Sequence, residues 1–250
     1  MSDFNENLPL AWHKSQNQYY ENLARKILNF ERIQKIKLNS VLDICCASSD
    51  FLKVFYNEGK RCFGTEVDEN FYNYSKNQYP SIPYYKAYSI SDIDSFKNFD
   101  LITILNRKIN DFSSISELSR FFKLVYKHLN NGGIFIFDMY TASKLNNCNE
   151  SMQTESEDLD FVMTIKTNKD DKYSTISNLF YLKDKINDDG IIEYKKSELN
   201  ATKYHFSKDE IYNEIKNANF RYFVATNENL SPVANSESLE TAYFMAIKRE

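Results

Sequence analysis

Apolar and polar positions along the first half of the chain follow two alternating periods, that of buried strands and that of amphipathic helices. Five of the six residues over 41–46 are apolar, all but position 43, which is typical of a strand buried on both faces. Small residues at 47–49 make a tight turn, and apolar positions in 51–55 recur at helical spacing before Gly59, a typical helix C-cap. This stretch predicts a strand, a turn and a helix, the unit from which open α/β sheets are built.

The same alternation continues along the chain. It predicts strands over 61–67, 83–88, 99–105 and 134–137, and helices over 16–30, 68–78 and 116–129. Near the C-terminus, the capping box Ser207 to Glu210 opens one more helix, and a final pair of strands is predicted over 220–226 and 241–248. Strands that alternate with helices form a mostly parallel sheet with helices on both faces, so we expect a doubly wound α/β fold.

A different period interrupts this series. Residues 146–157 are polar and predict a loop, and the three segments 159–166, 173–182 and 191–199 then predict strands, the first of them by clear alternation, joined by hairpin turns. We expect an antiparallel β insert here. The predicted organisation is an N-terminal helical segment over 1–38, an α/β core over 39–145, the insert over 146–205, and a C-terminal helix and strand pair over 206–250 that completes the core sheet.

Two carboxylates stand at the strand ends where open α/β sheets bind ligands. Asp43 lies in the first strand, just before the turn, and Glu66 ends the second strand. A carboxylate about 20 residues beyond such a turn is placed to accept hydrogen bonds from both hydroxyls of a ribose. The sequence therefore indicates a ligand that carries a nucleoside.

At these residues the chain resembles the class I S-adenosylmethionine-dependent methyltransferases, whose first motif reads roughly V-L-D-x-G-x-G-x-G. Asp43 matches the acid of that motif, while Cys45, Ala47 and Ser49 occupy its three glycine positions. The segments FDLITIL and LNNGGIFIFD are similar to the family's fourth and fifth strands. The resemblance implies a seven-stranded Rossmann-like sheet, with the antiparallel insert covering the active edge and selecting the methyl acceptor.

The resemblance also implies S-adenosyl-L-methionine as the cofactor. Ser89 stands at the position of the acid that receives the adenine amino group, and Ile90 at the position of its apolar neighbour. The residues expected to contact the cofactor are Tyr20, Asp43, Cys45, Ala47, Ser49, Glu66, Val67, Ser89, Ile90 and Asn106.

Methyl transfer demands little of the side chains, because the sulfonium already activates the methyl group and catalysis consists mostly of in-line positioning. A general base matters chiefly for hydroxyl or protonated amine acceptors. The candidates for it are His205, Tyr140 and Asn110, and for His205 an ordinary exposed or capping role is the alternative. No catalytic triad, P-loop or metal motif is present, so neither hydrolysis nor a metal is expected.

Composition narrows the range of partners. The 250 residues are 42% hydrophobic and 26% charged with a net charge of −4, which is typical of a globular protein and does not favour nucleic acid or an anionic membrane. The four cysteines lack metal-ligand spacing and the first residues lack a signal-peptide pattern. We therefore expect reduced thiols, a cytoplasmic location, a small-molecule methyl acceptor, and a monomer or homodimer.

Two other functions compete with methyl transfer. Dinucleotide binding is less favoured, because a pyrophosphate needs glycines in the turn and Asp50 adds a negative charge beside it. The second alternative is a methyltransferase-like protein that has lost its cofactor and serves as a binding or interaction protein. Side chains at the three glycine positions favour it, since each would cost about 1–2 kcal/mol wherever φ is positive. A macromolecular acceptor such as tRNA or protein ranks third.

Overall fold

The computed structural model describes residues 7–86, 98–146, 151–155, 159–167, 172–186 and 189–249. The helices are α1 Leu8–Gln34, α2 Asp50–Asn57, α3 Glu69–Gln78, α4 Ile115–His128, α5 Ala142–Asn146 and α6 Lys208–Asn217, with short 3-10 helices at Lys108–Asp111 and Ser236–Ser238. The strands are β1 Ser40–Ile44, β2 Arg61–Thr65, β3 Tyr84–Tyr85, β4 Phe99–Ile104, β5 Leu129–Tyr140, β6 Ser151–Glu155, β7 Leu159–Thr167, β8 Tyr173–Ile186, β9 Ile192–Tyr204, β10 Tyr222–Thr226 and β11 Thr241–Ile247.

Seven strands form one sheet in the order β10-β11-β5-β4-β1-β2-β3. The pairs β1–β2, β1–β4, β2–β3 and β4–β5 are parallel, while β11 runs antiparallel to both of its neighbours. Strand order reverses beside β1, where the crossovers on either side diverge and leave a crevice at the carboxyl ends of the strands. The predicted doubly wound, mostly parallel sheet is confirmed.

Alternate side chains of β5 pack into the apolar layers on the two faces of the sheet. Ile134 and Ile136 pack into the apolar layer that holds α1 and α2, while Phe135 and Phe137 pack on the opposite face against α4 and α6. Because side chains alternate across a strand, a strand covered on both faces is apolar at every position. The ring of Phe137 stacks on Phe244 of β11 with centroids 4.9 Å apart, which joins the antiparallel strand to this core.

The insert forms a second, antiparallel sheet in the order β6-β7-β8-β9. It contains one strand more than the sequence pattern indicated, since β6 falls in the polar stretch predicted to be a loop. Helix α1 also begins at Leu8 rather than at residue 16, with a proline in its first turn, where the missing N–H costs nothing.

The beginning of α1 lies between the second sheet and the core. Leu8 and Ala11 share an apolar cluster with Phe71 of α3 and with Phe180 and Leu182 of β8. This contact helps to hold the second sheet over the carboxyl edge of the core sheet. In the described parts of the chain, no helix combines the length and apolar character that crossing a membrane requires.

Candidate functional site

The turn after β1 has an unusual backbone. Cys45, Ala47 and Ser49 have φ angles of +56°, +48° and +63°, in the left-handed region that glycine adopts freely. These are the three positions at which the methyltransferase motif has glycine. The chain thus keeps the backbone conformation of that motif without its glycines, at a local cost of about 1–2 kcal/mol for each residue.

The end of β2 holds this turn from one side. The Cys46 N–H donates to the Thr65 carbonyl oxygen at 2.9 Å, and the Cys45 N–H donates to the Thr65 hydroxyl at 3.2 Å. The Ala47 N–H donates to the Glu66 carboxylate at 2.8 Å. Three consecutive backbone donors therefore have acceptors on one neighbouring strand end, and this offsets part of the cost of the left-handed residues.

Helix α3 holds the turn from the other side. The Ser75 hydroxyl donates to the Ala47 carbonyl oxygen at 2.6 Å and accepts from the Ser49 hydroxyl at 3.0 Å. Both serines are completely buried. Ser49, predicted to contact the cofactor, therefore faces the protein interior, and its hydroxyl supports the turn.

Glu66 has a double role at the edge of the cavity. One carboxylate oxygen accepts the N–H groups of Val67 and Asp68 at 2.7 and 3.1 Å, and the other accepts the N–H of Ala47. A carboxylate oxygen can accept two hydrogen bonds, so the second oxygen retains one acceptor position. Glu66 and Val67 both line the cavity, and Glu66 can receive a ligand hydroxyl there.

A cavity of about 790 Å³ lies between the carboxyl edge of the core sheet and the second sheet. Six residues predicted from sequence line it, namely Cys45, Ala47, Glu66, Val67, Asn106 and Tyr140. A narrow recess beside the turn brings together Tyr20, Asp43, Ala47 and Asn106 with Trp12 of α1. The structure thus gathers eight of the predicted residues around one crevice.

The other predicted residues lie elsewhere. Asn110 is completely buried: its amide donates to the carbonyls of Tyr140 and Tyr204 at 3.3 and 2.9 Å, and its oxygen accepts the Tyr140 N–H at 2.8 Å. It therefore joins β5 to β9, and it is not among the residues that line the cavity. Ser89 and Ile90 lie outside the described residues.

His205 is tied to the second sheet. Its Nε2 lies 2.9 Å from the Ser174 hydroxyl, which in turn donates to the Leu145 carbonyl oxygen. His205 is not among the residues that line the cavity.

Several cavity residues escaped the sequence interpretation. Trp12 and Gln16 come from α1, and Lys203 from β9. Trp12 is the only tryptophan of the chain, but nothing in its sequence surroundings marks it as a site residue. Arg107 and Lys108 directly follow β4, at the edge of the sheet where ligands bind. This position in the sequence could have indicated that they line the cavity.

Three carboxylates make the recess side of the site strongly acidic. Burial, with a smaller contribution from the charges of Glu66 and Asp138, raises the pKa of Asp43 to about 8, and the Thr103 hydroxyl bond at 2.6 Å opposes this shift. Burial also raises the pKa of Asp138, against the opposing charge of Arg107. A positively charged ligand nearby would favour the ionised forms of Asp43 and Asp138.

The residues present fit S-adenosylmethionine. Among the described residues, the Trp12 indole N–H and the Asn106 side-chain oxygen are buried without a hydrogen-bond partner, and both residues line the main cavity where the small recess opens beside it. One free donor and one free acceptor suit the carboxylate and ammonium of an amino acid. Beside them stand Asp43, which suits positive charge, and Glu66, which suits a ribose hydroxyl.

No family model matches the chain. A curated relative from Geobacillus sp. (strain WCH70), which carries the provisional name of a methyltransferase, is 23% identical over 109 residues. The alignment covers 42% of this chain and 44% of the relative, so the chain matches less than half of that relative's length.

Solved structures match over nearly the whole chain. An S-adenosylmethionine-dependent methyltransferase from Clostridium acetobutylicum ATCC 824 has a TM-score of 0.76 at 17% identity, covering 92% of each chain. CalS10, an amino pentose methyltransferase from Micromonospora echinaspora solved with S-adenosylmethionine bound, has a TM-score of 0.67 at 13% identity, covering 92% of this chain and 91% of its own. The sugar N-methyltransferase KedS8 from Streptoalloteichus sp ATCC 53650 has a TM-score of 0.65 at 15% identity, with coverage of 94% and 87%.

The chain therefore has the fold of the S-adenosylmethionine-dependent methyltransferases, including the antiparallel second sheet, and the resemblance drawn from the sequence is confirmed at the level of fold.

Replacing Ser75 by Ala tests how the turn is held. The variant loses two buried hydrogen bonds, so we expect a free energy of unfolding lower by about 1–3 kcal/mol and weaker binding of S-adenosylhomocysteine by calorimetry. Ser49→Gly removes the left-handed strain at its source, so Ser75→Ala should cost less affinity in that background. An equal loss in both backgrounds would show that Ser75 does not act through the turn.

Asn110→Ala tests whether Asn110 is a structural residue. It leaves buried backbone groups of β5 and β9 without partners, so we expect the free energy of unfolding in urea to fall by about 2–4 kcal/mol. Asn229→Ala, in an exposed turn, is the matched control. Unchanged stability together with lost turnover would instead assign Asn110 a chemical role.

Asp43→Asn tests the charge of the recess. Because the pKa of Asp43 is raised in the folded state, unfolding releases a proton between roughly pH 4 and 8, and the wild-type protein loses stability as the pH rises. The Asp43→Asn variant lacks this pH-dependent loss. The free energy of unfolding of the variant minus that of the wild-type protein should therefore increase by up to about 1.4 kcal/mol per pH unit from pH 5 to 8. Urea unfolding at several pH values measures the difference, with exposed Asp209→Asn as control; a constant difference would contradict the shift.

Proposed function

We propose that the protein is an S-adenosylmethionine-dependent methyltransferase that acts on a nitrogen or oxygen atom of a small molecule. The observation that carries the proposal is the turn after β1. It keeps a glycine-type backbone at three residues that are not glycine, and hydrogen bonds from two neighbouring elements support that strained conformation. Strain that is maintained in this way at a ligand edge is typical of functional sites.

The cofactor would supply an activated methyl group on a sulfonium. Glu66 would accept a hydroxyl of its ribose, as the free acceptor position of its carboxylate allows. Trp12 and Asn106 would bind the amino-acid end through the indole N–H and the side-chain oxygen that lack partners among the described residues. Asp43 would balance the positive charge.

The elements around the cavity would orient the acceptor and exclude water. Ile176 of β8 and Leu199 of β9 supply apolar wall on the side of the second sheet. Helix α1 is fixed over the turn by a 2.7 Å contact between His13 Nδ1 and the Asp50 carboxylate, which also accepts the Ser48 hydroxyl. A closed wall of this kind supports positioning catalysis, in which the reacting atoms are held in line.

Of the three candidates for a general base, Tyr140 is the one on the cavity wall. Its ring lies under the Arg107 guanidinium, with 5.2 Å from the guanidinium carbon to the ring centroid. We retain Tyr140 as the candidate that would contact the acceptor. The bonds of Asn110 and His205 described above favour structural roles for these two residues.

A small-molecule acceptor is supported by the size of the cavity and by the proteins of similar fold. A volume of about 790 Å³ falls within the range of roughly 300–1,000 Å³ that small-molecule sites occupy. CalS10 is an amino pentose methyltransferase and KedS8 a sugar N-methyltransferase. We also propose a cytoplasmic location, which the buried free thiols of Cys45, Cys46 and Cys62 suit.

A protein of this fold that no longer binds the cofactor is the second candidate. Cys45 and Ala47 line the cavity with side chains where the motif has glycine, which narrows the space beside the turn. This observation is the one that favours a binding or interaction protein.

Glu66→Gln separates the two candidates. The variant keeps the size of the side chain but loses the charge and one acceptor oxygen, so S-adenosylhomocysteine should bind at least about tenfold more weakly by calorimetry. Glu69→Gln is the matched control, because Glu69 is 70% exposed and lies three residues further along the chain. Absence of S-adenosylhomocysteine binding to the wild-type protein would favour the second candidate.

A further inference from the structure

Two ammonium groups share a single carboxylate on the wall of the cavity nearest β4 and β9, and an arginine side chain lines the cavity beside them. Lys203 Nζ donates to one oxygen of Asp111 at 2.5 Å and to the Arg107 carbonyl oxygen at 3.2 Å. Lys108 Nζ lies 3.1 Å from the other oxygen of Asp111. All four residues line the cavity, and we name Arg107, Lys108 and Lys203 with Asp111 the cation cluster.

The charges of the cation cluster do not cancel. Asp111 is shared by two ammonium groups, and the side-chain contacts of the Arg107 guanidinium are the Tyr20 hydroxyl at 3.3 Å and the ring of Tyr140. When buried Asp138, whose carboxylate accepts the Arg107 backbone N–H, is counted with Asp111, the three cations still exceed these two carboxylates by one charge. Glu66, on the wall of the same cavity, is close enough to Lys108 for their charges to interact. An excess charge that is partly withdrawn from water is costly unless an anion joins it.

Hydrogen-bond donors of the cation cluster are also in excess. An ammonium has three N–H donors, and the bonds described above leave one on Lys203 and two on Lys108. The Nε of Arg107 is buried and has no partner among the described residues. Lys203 is itself buried, with 7% of its side chain exposed, and all three residues line one cavity. An oxyanion is the ligand that accepts from several such donors at once.

The same cavity also carries negative charge. Glu66 and Asp68 line the cavity at the end of β2, and Asp43 lies in the recess beside the turn. The acidic groups suit the cationic cofactor. The cation cluster lies beside them in the same cavity, with Lys203 contributed by β9 and with Arg107 bonded to Tyr20 of the recess. A cavity with groups of both charges has room for two ligands of different charge, and complementary charges would guide each to its own part.

We propose that the methyl acceptor is an anionic small molecule, a phosphate ester or a carboxylate, whose oxyanion binds Lys203, Lys108 and Arg107. This inference rests on the proposed function, because it assigns the second ligand of a cavity whose first ligand is the cofactor. The anionic group would anchor the acceptor at the cation cluster and leave the atom that is methylated free to face the sulfonium.

Binding of simple anions tests the cation cluster without knowledge of the acceptor. The purified protein is saturated with S-adenosylhomocysteine and titrated with inorganic pyrophosphate, and in a second arm with malonate. Trp12, the only tryptophan, lines the cavity, so its fluorescence reports binding beside calorimetry. We expect saturable binding of at least one anion; tighter binding of pyrophosphate assigns a phosphate ester, and tighter binding of malonate a carboxylate.

Lys108→Met removes one cation from a partly exposed position, 38% exposed, so the fold should tolerate it. We expect anion binding to weaken about tenfold or more while S-adenosylhomocysteine binding changes by less than about threefold. Lys123→Met, the same substitution on the exposed face of α4, should leave both affinities unchanged. Equal anion affinity in the wild-type protein and the Lys108→Met variant would overturn the inference.

Two further outcomes separate this inference from the proposed function. If S-adenosylhomocysteine binds but neither anion does, or if the anions displace it, the cation cluster does not hold the acceptor and the inference fails while the proposed function stands. If the anions bind but S-adenosylhomocysteine does not, the proposed function fails, and with it the assignment of this anion site to a methyl acceptor.

Discussion

The hydrogen bond between the Ala47 N–H and the Glu66 carboxylate is the interaction on which the site depends. It closes the left-handed turn after β1 onto the end of β2, and the same carboxylate accepts the N–H groups of Val67 and Asp68. Glu66 thereby fixes the backbone of two adjacent strand ends while one acceptor position remains at the cavity. A charged acceptor makes stronger hydrogen bonds to N–H groups than a neutral one. The single Glu66 side chain can therefore hold the backbone of the turn and still offer an acceptor position to a ligand.

Charge is distributed around the cavity at a cost to stability. Buried acids on the recess side repel one another, and burial raises the pKa of Asp43 to about 8. On the other side, burial and the neighbouring cations lower the pKa of Lys203, while Asp111 opposes this shift. Ionisable groups with shifted pKa values are typical of ligand sites. A ligand of opposite charge stabilises the ionised form that burial disfavours.

The antiparallel sheet covers part of the open edge of the core sheet and forms the second wall of the cavity. Asn110 bonds to backbone groups of both β5 and β9, and Lys203 bonds to the carbonyl oxygen of Arg107. These bonds join the second sheet to the core just beside the ligand edge, and the beginning of α1 closes the remaining side through Trp12. The proteins of similar fold cover nearly the whole of this chain, so the arrangement belongs to the fold rather than to an added part.

The sequence by itself determined the doubly wound sheet, the antiparallel insert and the positions of Asp43 and Glu66, because hydrophobic period and strand ends are local properties of the chain. It did not determine that Ser49 faces inward, that Asn110 joins two sheets, or that Trp12 and Lys203 reach the cavity. Those positions depend on contacts between residues far apart in sequence, which no local pattern records. Only the tertiary structure decided which charges lie close together, because folding brings the second sheet and α1 to the edge of the core sheet from distant parts of the sequence.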